Sequence, residues 1–192
     1  MSCHFRGAIN RAALTFITSS FRLFLPDKYR TSRQSGERGD GNNYFGSNVI
    51  CQVGLVVRDI KASVQKYAPL FGVEAPPVIT TAPESEAHTR YQGQPTEARA
   101  KLAFFKMGEQ LSLELIEPIG GPSTWRDFLE QKGEGVHHLA LRLKGTDQIT
   151  AELAAKGIPV VQQGDYTGGR YTYLHCEHEL AVAVELLENF GS

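Results

Sequence analysis

The sequence predicts an α+β fold made of two copies of one strand-helix-strand-strand-strand module. Three observations predict it: a short motif occurs twice, the predicted elements follow the same order in both halves, and apolar residues alternate along the strands. The motif reads SLELIEP at residues 112–118 and AVELLEN at residues 183–189. Each copy carries a glutamate inside an apolar run, where an ionised carboxylate is costly unless a cation or a proton compensates it.

The first module spans about residues 49–118. Its opening strand, residues 49–57, mixes alternating and continuous apolar residues. A helix follows between Asp59, which suits an N-cap, and Gly72, which suits a C-cap. The module is completed by a strand at 78–81, a polar loop at 83–99 and a hairpin with strands at 101–107 and 111–117.

The second module, about residues 136–189, repeats this order. Its predicted elements are a strand at 136–143, a helix at 147–156, and strands at 159–163, 170–176 and 180–188. The joining segment, residues 119–135, contains a short helix that ends at Gly133. A repeated unit with one apolar face normally buries that face against its twin, so we expect a single domain over residues 48–192.

The composition limits the classes of function. The chain has 192 residues, 41% of them hydrophobic, and a formal net charge of -1. A near-neutral charge gives no general case for nucleic acid as a partner. No apolar run approaches the roughly 18 residues that a membrane span requires. The three cysteines are too scattered for a disulfide framework, which fits a reducing compartment.

Residues 1–47 differ from the rest of the chain. Residues 1–26 contain three arginines and no acidic residue, and residues 30–43 are polar and rich in glycine, serine and arginine. Such a composition is typical of a mitochondrial transit peptide, and a poorly ordered tail is the alternative. The predicted location is therefore cytoplasmic, or the mitochondrial matrix if this tail is a transit peptide.

Strand alternation places four polar side chains on one face of the predicted sheet. They come from the opening strands and from the two copies of the motif: Gln52, His138, Glu114 and Glu185. The neighbouring leucines and valines point to the opposite face, where the helices are expected to pack. The same alternation assigns His137 to that helix-covered face, either as a structural residue or as a donor that supports a metal ligand. Two half-sites related by a repeat predict one shared metal site.

Each of these residues also has a purely structural interpretation. His138 alone could be a core histidine, and either glutamate alone could be an edge-strand acid that faces water. Gln52 is the weakest of the four, because a neutral amide is a poor ligand and can instead hydrogen-bond a bound water. The sequence offers a second histidine and cysteine cluster, His175, Cys176 and His178, but strand alternation does not bring these side chains together.

The chain resembles the vicinal oxygen chelate superfamily, which includes glyoxalases, bleomycin resistance proteins and dioxygenases, over about residues 49–189. The specific stretches are residues 113–118 (LELIEP) and 128–140 (FLEQKGEGVHHLA), which are similar to the methylmalonyl-CoA epimerases. A weaker match is the opening pattern Gln52-x-Gly54-x-x-Val57-x-Asp59. The resemblance implies two βαβββ modules paired into a curved, cup-shaped mixed sheet, with helices on the convex face and a divalent metal inside. It also implies a homodimer.

Matched motif by motif, the resemblance implies the metal ligands Gln52, Glu114, His138 and Glu185. The epimerases usually carry histidine at the position of Gln52, and the set found here is instead that of zinc-type glyoxalase I. However, Val56 and Pro118 replace the arginine and asparagine that contact glutathione in glyoxalase I, which argues against glutathione as a substrate. One nitrogen and three oxygen donors suit a divalent ion such as Co, Mn, Ni, Zn or Mg.

The resemblance further implies a metal-dependent epimerase or isomerase of an acyl-CoA such as methylmalonyl-CoA. In such an enzyme the metal stabilises the enolate formed when the α-proton leaves. Glu185 is the first candidate for the base and Glu114 the second, and a metal-bound glutamate must loosen from the ion to act as a base. The alternatives are a glyoxalase I-like lyase that uses another thiol, and a non-catalytic protein that binds small molecules. An extradiol oxygenase is less favoured, because its iron site requires two histidines.

Overall fold

The computed structural model describes residues 44–191 of the protein. Most of the predicted tail, residues 1–47, lies outside this part, and the transit peptide therefore stays a prediction. The described residues belong to one compact unit. None of their helices is long and apolar enough to cross a membrane.

The first module follows the predicted order, with three short additions. Its elements are β1 (Ile50–Val56), α1 (Ile60–Phe71), β2 (Ile79–Thr80), α2 (Glu84–Ala87), β3 (Arg90–Tyr91), β4 (Gln94–Pro95), β5 (Arg99–Met107) and β6 (Leu111–Ile119). Asp59 caps α1 as predicted, because its side chain accepts a hydrogen bond of 3.0 Å from the backbone N–H of Ala62. The chain leaves α1 through Gly72, whose φ of 65° lies in the left-handed region that glycine adopts without strain.

The second module also keeps the predicted order, with one short helix added before its last strand, which begins at Ala183 and not at residue 180. The elements that follow β6 are α3 (Thr124–Lys132), β7 (Gly135–Arg142), α4 (Thr146–Ala154), β8 (Val160–Tyr166), β9 (Gly169–Leu174), α5 (Glu177–Leu180) and β10 (Ala183–Asn189). Ser123 caps the joining helix α3 by accepting a hydrogen bond from Arg126 at 3.2 Å. The β8 strand is longer than predicted, because it continues to the tight turn that joins it to β9.

The strands of the described part form one mixed sheet in the order β2-β5-β6-β1-β7-β10-β9-β8-β3-β4. The two opening strands, β1 and β7, pair antiparallel at its centre, and we call this pairing the central seam. On either side of the seam, β6 pairs parallel with β1 and β10 pairs parallel with β7. Residues of β2 and β9, which lie far apart in the sheet order, line the same cavity. The sheet is therefore curved, and the predicted α+β cup is confirmed.

The two faces of the sheet are divided as the alternation predicts. Helix α1 packs on Leu55, Val57 and Leu115, and the second half has a matching cluster that contains Leu141, Leu153 of α4 and Leu186. These apolar clusters cover the convex face. Helix α3 differs from α1 and α4, because it packs on the concave side of the sheet. Its Trp125 packs with Val56, Ile116 and Tyr173, and Trp125 and Ile116 line the cavity there.

The predicted polar loop at 83–99 contains structure that the sequence pattern does not show. Besides α2, it forms the hairpin of β3 and β4. Strand β3 pairs with β8 of the other module, with Arg90 opposite Gln163 and Tyr91 opposite Gln162. A strand of two residues has too few positions for an alternation signal, and its pairing partner is distant in sequence.

Candidate metal centre

The four predicted ligands lie on four neighbouring strands at the middle of the sheet: Glu114 on β6, Gln52 on β1, His138 on β7 and Glu185 on β10. All four are buried. In the first module Gln52 pairs with Ser112, two residues before Glu114. In the second module His138 pairs with Ala183, two residues before Glu185. In both modules the glutamate therefore lies two residues beyond the strand partner of Gln52 or of His138. This shared register brings the four side chains together.

Gly54 makes the space that the histidine occupies. Across the central seam His138 pairs with Gly54, and Gln52 pairs with Ala140, so Gln52 and His138 are diagonal neighbours. A Cβ atom at position 54 would lie 1.9 Å from Cε1 of His138. Only glycine leaves room for the imidazole here, which is a physical reason for the Gln52-x-Gly54 pattern.

The polar atoms of these residues lie within contact distance of one another, and we call Gln52, Glu114, His138 and Glu185 the donor cluster. The Nε2 atom of His138 lies 3.2 Å from Oε2 of Glu185 and 3.5 Å from Oε2 of Glu114. The Nε2 atom of Gln52 donates a hydrogen bond of 2.7 Å to Oε2 of Glu114, and its distance to Oε2 of Glu185 is 3.4 Å. The potential ligand atoms of the two glutamates and the histidine all lie within 4.8 Å of one another.

The pKa values of Glu114 and His138 in the donor cluster are raised, so that these groups retain protons at higher pH than usual. Burial and then the charge of Glu185 raise the pKa of Glu114 to about 8, although His138 and the hydrogen bond from Gln52 oppose the shift. Burial alone would lower the pKa of His138, but the charge and hydrogen bond of Glu185, together with the charge of Glu114, outweigh burial and raise this pKa. The cluster therefore compensates its negative charge with protons near neutral pH.

The donor cluster fits a divalent cation. Two buried carboxylates face a single imidazole, and an ion that carries two positive charges can replace the protons that Glu114 and His138 otherwise retain. Gln52 turns its amide nitrogen to the cluster, while its Oε1 accepts a hydrogen bond of 3.3 Å from Ser112. Rotating the amide by half a turn presents Oε1 to an ion, and the Ser112 hydroxyl can then accept from the nitrogen. The imidazole and carboxylate donors suit the divalent metals named above.

His137 does not lie on the face that strand alternation assigns to it. The register of β1 and β7 shifts between Gly54 and Leu55, which leaves His137 as an extra residue in a β-bulge. Its ring contacts Phe128 and Tyr173, with centroid distances of 5.4 and 5.2 Å, and its Nδ1 lies 3.1 Å from Nδ1 of His138. The helix-covered assignment was wrong, because a bulge turns two successive side chains to the same side.

The pKa of His137 shifts in the opposite direction to that of His138. Burial and then the charge of His138 hold the pKa of His137 well below its ordinary value of 6.5. A neutral His137 can accept a hydrogen bond at Nδ1 from Nδ1–H of His138, and this tautomer leaves Nε2 of His138 free to bind an ion. His137 therefore supports the orientation of the imidazole.

Three members of the donor cluster, Gln52, Glu114 and Glu185, line a cavity of about 500 Å³, which is within the usual range for small-molecule sites, and the fully buried His138 contacts both glutamates. Leu102, Phe104 and Ile116 form part of an apolar wall. Trp125 and Tyr173 also line it, and neither was predicted as a site residue. Tyr171 and Tyr173 are two residues apart on β9, a spacing that indicates that both side chains point to the same face of the sheet. Nothing in the sequence of α3 indicates which of its residues reach the cavity.

The metal-free protein is expected to lose stability as the pH rises from about 6.5 to about 8. Because the pKa values of Glu114 and His138 are raised, the folded state binds more protons than the unfolded state in this interval, and raising the pH favours unfolding. His137 has the opposite shift, but it acts only below its ordinary value of 6.5. We expect the free energy of unfolding to fall by about 1–2 kcal/mol, measured by urea denaturation of chelator-treated protein.

The matched control is Glu114→Gln, which keeps the shape of the side chain and removes the carboxyl group that retains the proton. Its stability is expected to change less over the same interval. A free energy of unfolding that stays constant or rises in the metal-free wild type between these pH values would contradict the raised pKa values.

Comparison with known proteins identifies the family. The sequence model of the Glyoxalase/Bleomycin resistance protein/Dioxygenase superfamily matches residues 51–173. The chain is 31% identical over 99 residues to the uncharacterized protein YqjC of Bacillus subtilis (strain 168), a match that covers 50% of this chain and 69% of that protein. It is 24% identical over 140 residues to a 2-epi-5-epi-valiolone epimerase of an Actinomyces species, which covers 69% of this chain and 76% of the relative.

Solved structures show the same fold. A variant of Streptomyces coelicolor methylmalonyl-CoA epimerase in complex with 2-nitronate-propionyl-CoA is similar to this protein with a TM-score of 0.53 and 25% sequence identity. The match covers 74% of this chain and 95% of that chain. The superfamily indicated by the sequence motifs is confirmed. With its family model matched over more than half of its length, this chain belongs to the glyoxalase/bleomycin resistance protein/dioxygenase superfamily.

Proposed function

We propose that the protein is a metal-dependent epimerase that removes and returns the α-proton of an acyl-CoA such as methylmalonyl-CoA. The observation that carries the proposal is that two carboxylates and an amide in the wall of one cavity converge on the buried imidazole of His138. The comparisons support it, because one relative is an epimerase and a similar solved structure is a methylmalonyl-CoA epimerase.

The donor cluster would hold one divalent ion, which would supply Lewis acidity to stabilise the negative charge that develops on a substrate oxygen. Glu185 would take the α-proton from one face of the substrate, and a second acid would return a proton to the opposite face. The Gln52 amide holds Glu114 by a bond of 2.7 Å, whereas its distance to Glu185 is 3.4 Å. Glu185 is held instead by Nε2 of His138 at 3.2 Å, so each carboxylate has one short polar contact. The family resemblance ranks Glu185 first as the base and Glu114 second.

The walls of the cavity would assist proton removal by excluding water. Leu102, Phe104 and Ile116 present apolar surface next to the donor cluster. Charges interact more strongly in such surroundings than in bulk water. The same surface would hold the apolar part of an acyl group.

Arg142 would bind an anionic group of the substrate. It lies on the same face of β7 as His138, four residues further along, and it lines the cavity. Within residues 44–191 its guanidinium group has no hydrogen bond and no ion pair, whereas Asp165 in the same wall is paired with Arg170 at 2.9 Å. An arginine without a carboxylate partner is suited to a phosphate or a carboxylate.

Replacing Arg142 with glutamine is expected to raise the KM for an anionic substrate by about 10- to 100-fold, the effect of losing one charge-assisted hydrogen bond. The kcat should change little, because the guanidinium would bind the substrate equally in the ground state and in the transition state. Arg58→Gln is the control, since Arg58 is also exposed and does not line the cavity. Steady-state kinetics measure both constants, and an unchanged KM in the Arg142 variant would contradict this role.

The function is tested by loading the protein in turn with Co²⁺, Mn²⁺, Ni²⁺, Zn²⁺ or Mg²⁺ and incubating it with one epimer of methylmalonyl-CoA in D₂O. Incorporation of deuterium at the α-carbon, together with formation of the other epimer, is expected. If no metal supports exchange, the epimerase proposal is rejected. Thiol-dependent consumption of methylglyoxal would then favour the lyase, and retention of small molecules without turnover would favour a binding protein.

A further inference from the structure

Tyr173 lies at the point where the donor cluster and the cavity meet. It is directly opposite Glu185 in the pairing of β9 with β10, and the centroid of its ring lies 5.0 Å from that of His138. Only 2% of the residue is exposed, and it lines the cavity. One side of the Tyr173 side chain therefore packs against the donor cluster, and another side can contact a molecule bound in the cavity.

The hydroxyl group of Tyr173 has an unused proton. Its oxygen accepts a hydrogen bond of 3.1 Å from Nε1 of Trp125. Because an indole nitrogen can only donate, this bond cannot use the phenolic proton, which is still available for a second bond. Across residues 44–191 the structure gives this proton no acceptor, neither on the two glutamates nor on Tyr171.

The joining helix fixes the direction of this hydroxyl group. Trp125 lies in the first turn of α3 and is buried, and its ring meets the ring of Tyr173 edge-on at 6.0 Å. The indole N–H occupies one lone pair of the phenolic oxygen. The O–H bond must then point away from Trp125.

We propose that Tyr173 is a substrate-binding catalytic residue, whose hydroxyl group donates a hydrogen bond to an oxygen atom of the molecule bound in the cavity. The inference rests on the proposed function, because it adds to the donor cluster a neutral donor for a carbonyl or carboxylate oxygen. The bond would orient the substrate relative to Glu185 on the neighbouring strand. It would also add stabilisation as negative charge develops on that oxygen.

The test compares Tyr173→Phe with Trp125→Phe. The first variant keeps the ring and removes only the hydroxyl group, whereas the second removes the indole N–H and keeps the phenolic donor. We expect kcat/KM for α-deuterium exchange to fall by about 10- to 100-fold in Tyr173→Phe. The expected loss in Trp125→Phe is smaller, because this variant keeps the phenolic donor and loses only the bond that orients it. A purely structural hydrogen bond predicts similar losses, since either change breaks the same bond.

A second measurement does not depend on turnover. Oxalate, a planar dianion with several acceptor oxygens, is titrated into the Co²⁺-loaded wild type and both variants by calorimetry. We expect about a tenfold weaker affinity in Tyr173→Phe and a smaller change in Trp125→Phe. If the wild type fails to exchange deuterium, the epimerase proposal fails while the oxalate titration still tests Tyr173. Equal oxalate affinity in the wild type and Tyr173→Phe, or equal losses in both variants, would overturn the inference.

Discussion

Replacing Gly54 with alanine is expected to weaken metal binding by about 100-fold. The new Cβ atom would lie 1.9 Å from Cε1, 2.4 Å from Nδ1 and 2.5 Å from Nε2 of His138. The imidazole is fully buried and packs against Tyr173 and His137, so it cannot move aside without displacing them. Overpacking of this kind typically costs about 1–3 kcal/mol of stability. Changing a residue that supports a metal ligand typically costs about 10- to 100-fold in metal affinity.

Metal content after dialysis against Co²⁺, together with calorimetric titration, measures this effect. Gly135→Ala is the matched control, because Gly135 is also in the central seam and its Cβ would meet Phe128 at an ordinary contact distance of 3.7 Å. The control should bind metal as the wild type does. Normal metal affinity in the Gly54 variant would show that the position of His138 does not determine the site.

Replacing Glu185 with glutamine is expected to lower the rate of α-deuterium exchange by about 10²- to 10⁴-fold, the usual contribution of a positioned base. The amide keeps an oxygen that can bind an ion, as is proposed for Gln52, but it cannot accept a proton. The rate is measured in D₂O and divided by the amount of bound metal. This correction separates a loss of the base from a loss of the ion.

Glu114→Gln is the internal control for that experiment. Glu114 occupies the equivalent position in the other module, two residues beyond the partner of Gln52, and the two variants remove the same charge. We expect a clearly smaller fall in the exchange rate per bound ion in Glu114→Gln, because Glu114 would act as a ligand and not as the base. If Glu114→Gln shows the larger loss, Glu114 is the base and the assignment must be reversed.

The sequence predicts the arrangement of the centre well, because the responsible signals are local and repeated. Strand alternation places Gln52, Glu114, His138 and Glu185 on one face, and the internal repeat places them at equivalent positions of the two modules. Their proximity in the structure follows from strand register. Their roles as metal ligands, and those of Glu185 and Glu114 as bases, stay predictions that the experiments above address. The expected homodimer also stays a prediction, which light scattering of the purified protein would test.

Other features depend on interactions that no local pattern shows. The bulge at His137 is a property of the pairing of β7 with β1, so a strict alternation of faces assigns this histidine to the wrong side. The pairing of β3 with β8 joins segments from different modules. Trp125 reaches the cavity only because α3 packs on the concave side. In each case the deciding contact is between residues far apart along the chain.

The central seam has a consequence for how the protein could be divided. Half of the donor cluster comes from strands before α3 and the other half from strands after it, and backbone hydrogen bonds between β1 and β7 unite them. A nick in the peptide bonds near Gly121 would leave each pair of side chains on its own fragment with its parallel strands intact. Metal binding would then require the two fragments to associate, because neither fragment alone contains all four residues of the donor cluster.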